Sequence, residues 1–387
     1  MKPANSIVME NPASVFDEMS RLARAHDAIN LGQGFPDGNG DDDVRQVAMD
    51  ATEAGPNQYP RSLGVAELCQ AVAEHDRRFY GLEFDWETEV LITCGATEAL
   101  AVALFGLIEP GDEVIMIEPV FNIYVPMVRR AGGVAKFVRL EPPEWKLPRE
   151  ALAAAFTPRT KLILLNSPMN PTGKVFGRED LEFIARLVEE YDTYALCDEV
   201  YEHLLFDGRA HIPLITLPGM RERCIRIGSA GKTFSLTGWK VGYMTGVAST
   251  LISAIKMHQY MIFSTPGNLQ TAIAYGLGKD DAYFANLPAA LQEKRDRFAA
   301  AIARAGLTPL PCEATIFLSA DISPLRFNGD DVEFCRHIAS EAGVAAIPYG
   351  ALYAEDAPDH YVRFSFCKFD DSLDEAAARL GRHFGGG

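Results

Sequence analysis

Seven short, continuous apolar runs constrain this chain more than any other feature of its sequence. They are Glu89–Thr93 (EVLIT), Glu113–Ile117 (EVIMI), Val134–Arg139, Lys161–Asn166 (KLILLN), Tyr194–Asp198 (YALCD), Cys224–Gly228 and Val241–Gly246. Strands with one wet face alternate in polarity, so runs that stay apolar throughout are expected of strands covered on both faces. The stretches between them, such as 66–79, 97–107 and 178–191, carry helical periodicity. In the last of these, Leu181, Ile184, Ala185 and Val188 fall on one stripe. Strand–helix alternation of this kind predicts an α/β fold, with a large domain built on a mainly parallel seven-stranded sheet flanked by helices. After about residue 280 the texture changes. A charged helix over about 289–305 leads into short strands near 314–320 and 361–367, and a last helix covers about 372–384. This predicts a smaller α+β domain at 281–387, joined by the N-terminal segment 1–40, with 41–280 as the large domain.

A chain of 387 residues is long enough to bury such a core in two or three domains. Its formal net charge of −17 argues against nucleic acid or an anionic membrane as partner, since both need a basic face. The cysteines at 69, 94, 197, 224, 312, 335 and 367 form no C-x-x-C pair. With the eight histidines they make no metal-ligand spacing, so no metal site is expected. Their odd number points to buried thiols in a reducing compartment. The first twenty residues, MKPANSIVMENPASVFDEMS, lack the apolar run of a signal peptide, and no stretch approaches the roughly 18 apolar residues of a spanning helix. A cytoplasmic location is the expectation.

Several strands end in residues with chemistry to offer. Lys232 sits among small residues in Ser229-Ala230-Gly231-Lys232-Thr233, with a second cation at Lys240. A lysine in that setting suits Schiff-base chemistry with an aldehyde cofactor, because neighbouring cations lower its pKa. Ser229 and Lys240 are placed to grip a phosphate. A P-loop would need glycine at position 226, which is Arg226. Gly32-Gln33-Gly34 lacks the third glycine of a dinucleotide fingerprint and is followed by Pro36. Asp198, at the end of a strand, can pair with a protonated pyridine nitrogen. It can equally be a helix cap. Tyr201, three positions on, and Asn170, on the turn Asn166–Gly173, can reach a ring oxygen. Gly95-Ala96-Thr97 opens a helix after a strand, where free backbone N–H groups bind phosphate. Phe121 can stack on a flat ring or simply fill the core. Arg363, a lone charge in an apolar strand, suits a carboxylate ligand or an internal salt bridge.

Together these segments resemble the class I/II pyridoxal-phosphate aminotransferases of the aspartate aminotransferase fold (fold type I). The resemblance runs from Asn30-Leu31-Gly32-Gln33-Gly34-Phe35-Pro36-Asp37 to Arg363. LGQGFPD, NQYPRSLG, NSPMNPTGKVF, CDEVYEHL and GKTFSLTGWKVGY look most like the kynurenine/glutamine/methionine aminotransferase branch. It implies pyridoxal 5'-phosphate as cofactor and a role for each matching residue. Lys232 would be the catalytic amine that holds the cofactor and moves the proton. Asp198 would hold the pyridine nitrogen, Asn170 and Tyr201 the ring oxygen, and Phe121 would stack on the ring. Gly95, Ala96 and Thr97, with Ser229 and Lys240, would hold the phosphate. Many members of the wider superfamily carry arginine where this chain has Lys240, so a bidentate grip is lost here. Tyr59 resembles the tyrosine that reaches the phosphate from a neighbouring subunit, which implies a homodimer with shared active sites. Arg363 and the backbone of Gly34 would bind the substrate carboxylate, with Asn170 beside them. Tyr124 and Phe263 can line a side-chain pocket or equally be core.

The implied activity is transfer of the α-amino group of an L-amino acid to a 2-oxo acid by a ping-pong mechanism. The donor is expected to be large and apolar, aromatic or sulfur-containing, or glutamine. A cysteine-S-conjugate or cystathionine β-lyase would keep the same cofactor residues and is the alternative. A non-enzymatic regulator on this fold would carry a DNA-binding domain ahead of it. Here the family match begins by about residue 10 and the charge is acidic.

Overall fold

The structure is a computed structural model that describes residues 2, 4–9 and 14–385. Part of the expected 1–40 segment (residues 1, 3 and 10–13), the point near residue 10 where the family match begins, and the last two residues of the 281–387 domain lie outside the described residues.

The apolar runs become seven strands of one sheet: β1 (Val90–Cys94), β2 (Glu113–Glu118), β3 (Val134–Arg139), β4 (Thr160–Asn166), β5 (Tyr194–Asp198), β6 (Cys224–Ser229) and β7 (Val241–Thr245). Their order is β1-β7-β6-β5-β4-β2-β3. All neighbours are parallel except β7, which runs antiparallel to β1 and β6. Separate apolar clusters cover the two faces, one including Ile115, Ile163 and Cys197, the other Val114, Leu164 and Leu196. The alternation of residues between these clusters explains why the runs carry no polar face.

Register decides where the chemistry goes. Asn166 pairs with Asp198, Asp198 with Ile227, Ser229 with Gly242 and Cys94 with Val241. The carboxyl ends of β1, β4, β5 and β6 therefore lie along one edge, where α/β proteins place ligands.

The main helices are α1 (Val15–Ala25), α2 (Ala66–Tyr80), α3 (Gly95–Leu107), α4 (Arg178–Glu190), α5 (Ala248–Met261), α6 (Asp281–Arg304) and α7 (Asp370–Phe384). Helix α6 starts at Asp281, well before the expected 289, and its N-cap Asp280 accepts a bond from the Tyr283 N–H. Pro288 lies inside it. A mid-helix proline costs about 3 kcal/mol in isolation. Here Phe284 on one side of it is buried in the core and Phe298 on the other anchors a further apolar cluster. Packing on both sides outweighs the local penalty. That further cluster joins α1, α6 and α7 to strands β8 (Phe317–Asp321) and β9 (Tyr361–Ser365), which pair antiparallel.

Candidate active site

A cavity of about 380 Å³ opens at the carboxyl edge of the sheet. Every candidate site residue from the sequence lines it except Tyr59 and Phe263. Burial on β5 is the main influence on Asp198, which is 4% exposed. It pushes the carboxyl up to about 6, against the pull of the Tyr124 hydroxyl, the Val200 N–H and the Lys232 charge. The Tyr124 hydroxyl donates to Asp198 Oδ2 at 2.6 Å. Tyr124 therefore reaches the cavity with its hydroxyl already committed, and its ring stands edge-on to Phe121 at 5.7 Å. Tyr124 thus lines the cavity while its hydroxyl also bonds the carboxylate.

Asn166, at the end of β4, carries no functional signal in the sequence, yet it builds the turn that follows. Its amide donates to the Asp198 carbonyl at 2.9 Å, and its Oδ1 accepts from the Asn170 N–H at 2.8 Å. Asn170 is thereby fixed, and its Oδ1 accepts from Arg363 Nη1 at 2.9 Å. Its amide nitrogen has no protein acceptor among the described residues and is left to donate elsewhere.

Arg363 on β9 is 1% exposed and has no carboxylate partner among the described residues. Nη2 donates to the Gly32 carbonyl at 2.6 Å, and Nε, also buried, bonds nothing. Its guanidinium lies 3.9 Å from the Phe317 ring centre and 5.1 Å from that of Phe16. Burial lowers its pKa to about 10. A guanidinium this deep and unpaired is costly unless a ligand anion completes it. Gly34 must be glycine here, because a Cβ would come 2.5 Å from Phe317 Cζ.

Lys232 sits on a single helical turn, Ala230–Thr233, directly after β6. Its Nζ donates to the Gly34 carbonyl at 3.0 Å and lies 5.5 Å from the centre of the buried Tyr201 ring. Some of its surface faces the cavity, but the ammonium is enclosed by protein. That burial lowers its pKa to about 8. Burial also raises the Tyr201 phenol well above its usual range.

The phosphate candidates meet at the start of α3. Lys240, in a left-handed conformation with φ 55°, brings Nζ to 3.5 Å from Thr97 Oγ1. A Cβ on Gly95 (φ 70°) would lie 3.3 Å from Lys240 Nζ, and one on Gly242 would come 2.6 Å from the Gly95 carbonyl carbon. The two glycines leave a floor free of side chains beside the first N–H groups of a 13-residue helix, which suits a phosphate. A phosphate at that floor, a pyridine nitrogen at Asp198 and an aldehyde at Lys232 fit the donor set that pyridoxal phosphate requires.

Behind the cavity, Glu199 and Glu202 point away from it. Arg226 Nε donates to Glu199 at 2.6 Å and Nη2 to Glu202 at 2.9 Å, while Nη1 bonds Asp76. Tyr80 and Tyr243 hydroxyls donate to Glu202, and Thr245 donates to Asp76. The residue that disqualifies a P-loop thus ties β6 to the segment carrying Asp198 and Tyr201. Phe16, Gln33 and Phe317 also line the cavity and had no sequence signal, being apolar or amide residues brought in from distant segments. Tyr59 is 85% exposed and stands edge-on to Phe263 at 5.6 Å, outside this cavity.

The family model for aminotransferase class I and II matches residues 26–380. The chain is 40% identical to kynurenine–oxoglutarate transaminase of Dictyostelium discoideum, over 98% of this chain and 96% of that one. It is 37% identical to methionine aminotransferase of Escherichia coli, over 95% of each. The solved structure of N-succinyldiaminopimelate aminotransferase from Mycobacterium tuberculosis superposes with a TM-score of 0.96 at 43% identity, covering 98% of this chain and 100% of that one.

Proposed function

Because the chain belongs to the class I and II aminotransferases, enzymes that use pyridoxal 5'-phosphate, we propose that it transfers the amino group of a large L-amino acid to a 2-oxo acid. The donor side chain is apolar, aromatic or sulfur-containing, or that of glutamine, and the two substrates react in turn. The observation that carries this reading is the pair of cations without a carboxylate partner among the described residues, Arg363 and Lys232, on one cavity with the buried carboxylate of Asp198.

When bound, pyridoxal phosphate supplies an aldehyde for the amino group and a ring that takes up the electrons released at Cα. Asp198 holds the ring nitrogen protonated. The free amide of Asn170 and the hydroxyl of Tyr201 hold the ring oxygen. Ser229, Lys240 and the N–H groups of Gly95, Ala96 and Thr97 hold the phosphate, while Phe121 covers the ring. Arg363 would clamp the substrate carboxylate with its free Nε edge and so fix the orientation of Cα. Lys232 Nζ, whose pKa burial lowers to about 8, would take the proton from Cα.

A homodimer belongs to the same proposal. Tyr59, Tyr260, Met261, Ile262 and Phe263 are all exposed. A contiguous apolar patch of that kind supports a covered face, from which Tyr59 would reach the partner's phosphate site. Residues 41–280 would form the cofactor-bearing unit, with 1–40 and 281–387 as the smaller one. That no helix among the described residues is long and apolar enough to cross a membrane accords with a cytoplasmic location.

The test is absorption spectroscopy of the cofactor-loaded protein during titration with amino acids, beside Lys232→Ala. Methionine, glutamine or aromatic donors should convert the cofactor to its amine form, and the variant should not respond. Pyruvate accumulating from cysteine conjugates without an oxo-acid acceptor would make the protein a lyase instead.

A further inference from the structure

The charges that line the catalytic cavity are few, and most have work assigned. Among the described residues the cations are Lys232, Lys240 and Arg363, and the anions are Asp198 and Asp17. In the proposed reading the three cations serve the aldehyde, the phosphate and the α-carboxylate, and Asp198 serves the ring nitrogen. Asp17 alone is left over.

Asp17 lies in the first turn of α1, and the structure holds that turn firmly over the cavity. Gln33 Nε2 donates to the Phe16 carbonyl at 3.2 Å and to Ser20 Oγ at 2.7 Å. The Phe16 ring sits 5.1 Å from the Arg363 guanidinium and 6.5 Å from the Phe121 ring, edge-on. On another side of the helix, Glu18 pairs with Arg336 at 2.8 Å. These contacts fix the rotation of α1, and Asp17 is among the residues that line the cavity. No cation among the described residues pairs with it. Phe16 touches both the carboxylate clamp and the ring-stacking phenylalanine. The first turn of α1 therefore roofs the space that a substrate's side chain must cross.

We propose that Asp17 is a specificity-determining residue that extends the donor class above to long apolar stems ending in an ammonium, a guanidinium or another strong donor such as the glutamine amide, and disfavours a second carboxylate. The inference rests on the aminotransferase reading and deepens it. An apolar stem would lie against Phe16 and Phe121, and its charged end would meet Asp17 near solvent. Among the described residues a second carboxylate would find no unassigned cation lining the cavity, and Asp17 would repel it. Two charges about 6 Å apart in largely aqueous surroundings change a rate ratio by about 3- to 10-fold, less at high salt.

The experiment measures kcat/KM of the cofactor-loaded enzyme for L-lysine, its neutral analogue L-norleucine and the acidic L-2-aminoadipate. Wild type, Asp17→Asn and Asp17→Lys are compared at low and high ionic strength. The lysine-to-norleucine ratio should fall by about 3- to 10-fold in Asp17→Asn. The aminoadipate-to-norleucine ratio should rise, further in Asp17→Lys, and both changes should shrink in high salt. Ratios unchanged within about twofold would overturn the inference and leave Asp17 an ordinary acid at a helix start. Failure of all three donors to convert the cofactor would overturn the aminotransferase reading and this inference with it.

Discussion

Replacing Asp198 by asparagine should stabilise the protein once the cofactor has been removed. Burial raises this carboxyl from its ordinary 3.8 to about 6, and each tenfold gain in proton affinity corresponds to about 1.4 kcal/mol. The folded protein thus holds the proton more tightly than the unfolded chain does. Ionised Asp198 destabilises the fold as pH rises above about 4, by about 3 kcal/mol once the pH has passed 6. Asparagine keeps the shape and can still accept from the Tyr124 hydroxyl, but carries no charge. For 387 residues the unfolding entropy is about 0.8 kcal/mol/K, so the gain is about 3–4 °C in Tm at pH 7–8. It should fall to about half at pH 5 and to under about 1 kcal/mol near pH 4. Scanning calorimetry of both cofactor-free proteins across that range is the assay. Adding pyridoxal phosphate should then reverse the order, because only the wild-type carboxylate gains a cationic partner. A variant no more stable than wild type at pH 8, or a difference independent of pH, would refute the reasoning.

Lys232 must be uncharged to attack an aldehyde, and its pKa is lowered to about 8 by burial. Capture of pyridoxal phosphate by the cofactor-free protein, followed by absorbance, should therefore rise about tenfold per pH unit below 8 and level off above it; a midpoint near 10 would contradict this. Arg226→Met leaves Asp76, Glu199 and Glu202 without their shared counter-ion and should cost about 3–5 kcal/mol of stability. An unchanged urea midpoint would show that the ion cluster contributes nothing.

Much of the sheet is legible in the sequence because its strands other than the edge strand β3 are largely buried on both faces, and such burial leaves an unbroken apolar signature. The strand ends are legible for a different reason. A carboxylate at Asp198, a lysine at Lys232 and a lone arginine at Arg363 are conspicuous where apolar runs stop or are interrupted. The residues that stay hidden depend on partners far away in the chain. Asn166 looks like the last residue of a strand, and only the fold shows that it holds Asn170. Phe16 and Phe317 read as ordinary core residues until both rings are found beside the Arg363 guanidinium. Nothing local reveals that the Tyr124 hydroxyl bonds a carboxylate 74 positions on. Periodicity starts helix α6 too late because Pro288 carries a strong local penalty, whereas the packing of Phe284 that overrides it is tertiary.

In the segment Asp198-Glu199-Val200-Tyr201-Glu202, Asp198, Val200 and Tyr201 line the cavity and Glu199 and Glu202 turn backward to Arg226. Turns at a sheet edge ordinarily tolerate changes in length. This one does not have that freedom. Inserting a single residue after Asp198 would move Glu199 to the cavity-lining place of Val200 and Tyr201 to the place of Glu202, driving an unpaired carboxylate into the cavity and a phenol into the ion cluster. Arg226 therefore serves as a reading-frame guard: a chain that threads this turn one residue out of step meets a buried electrostatic penalty before any cofactor arrives.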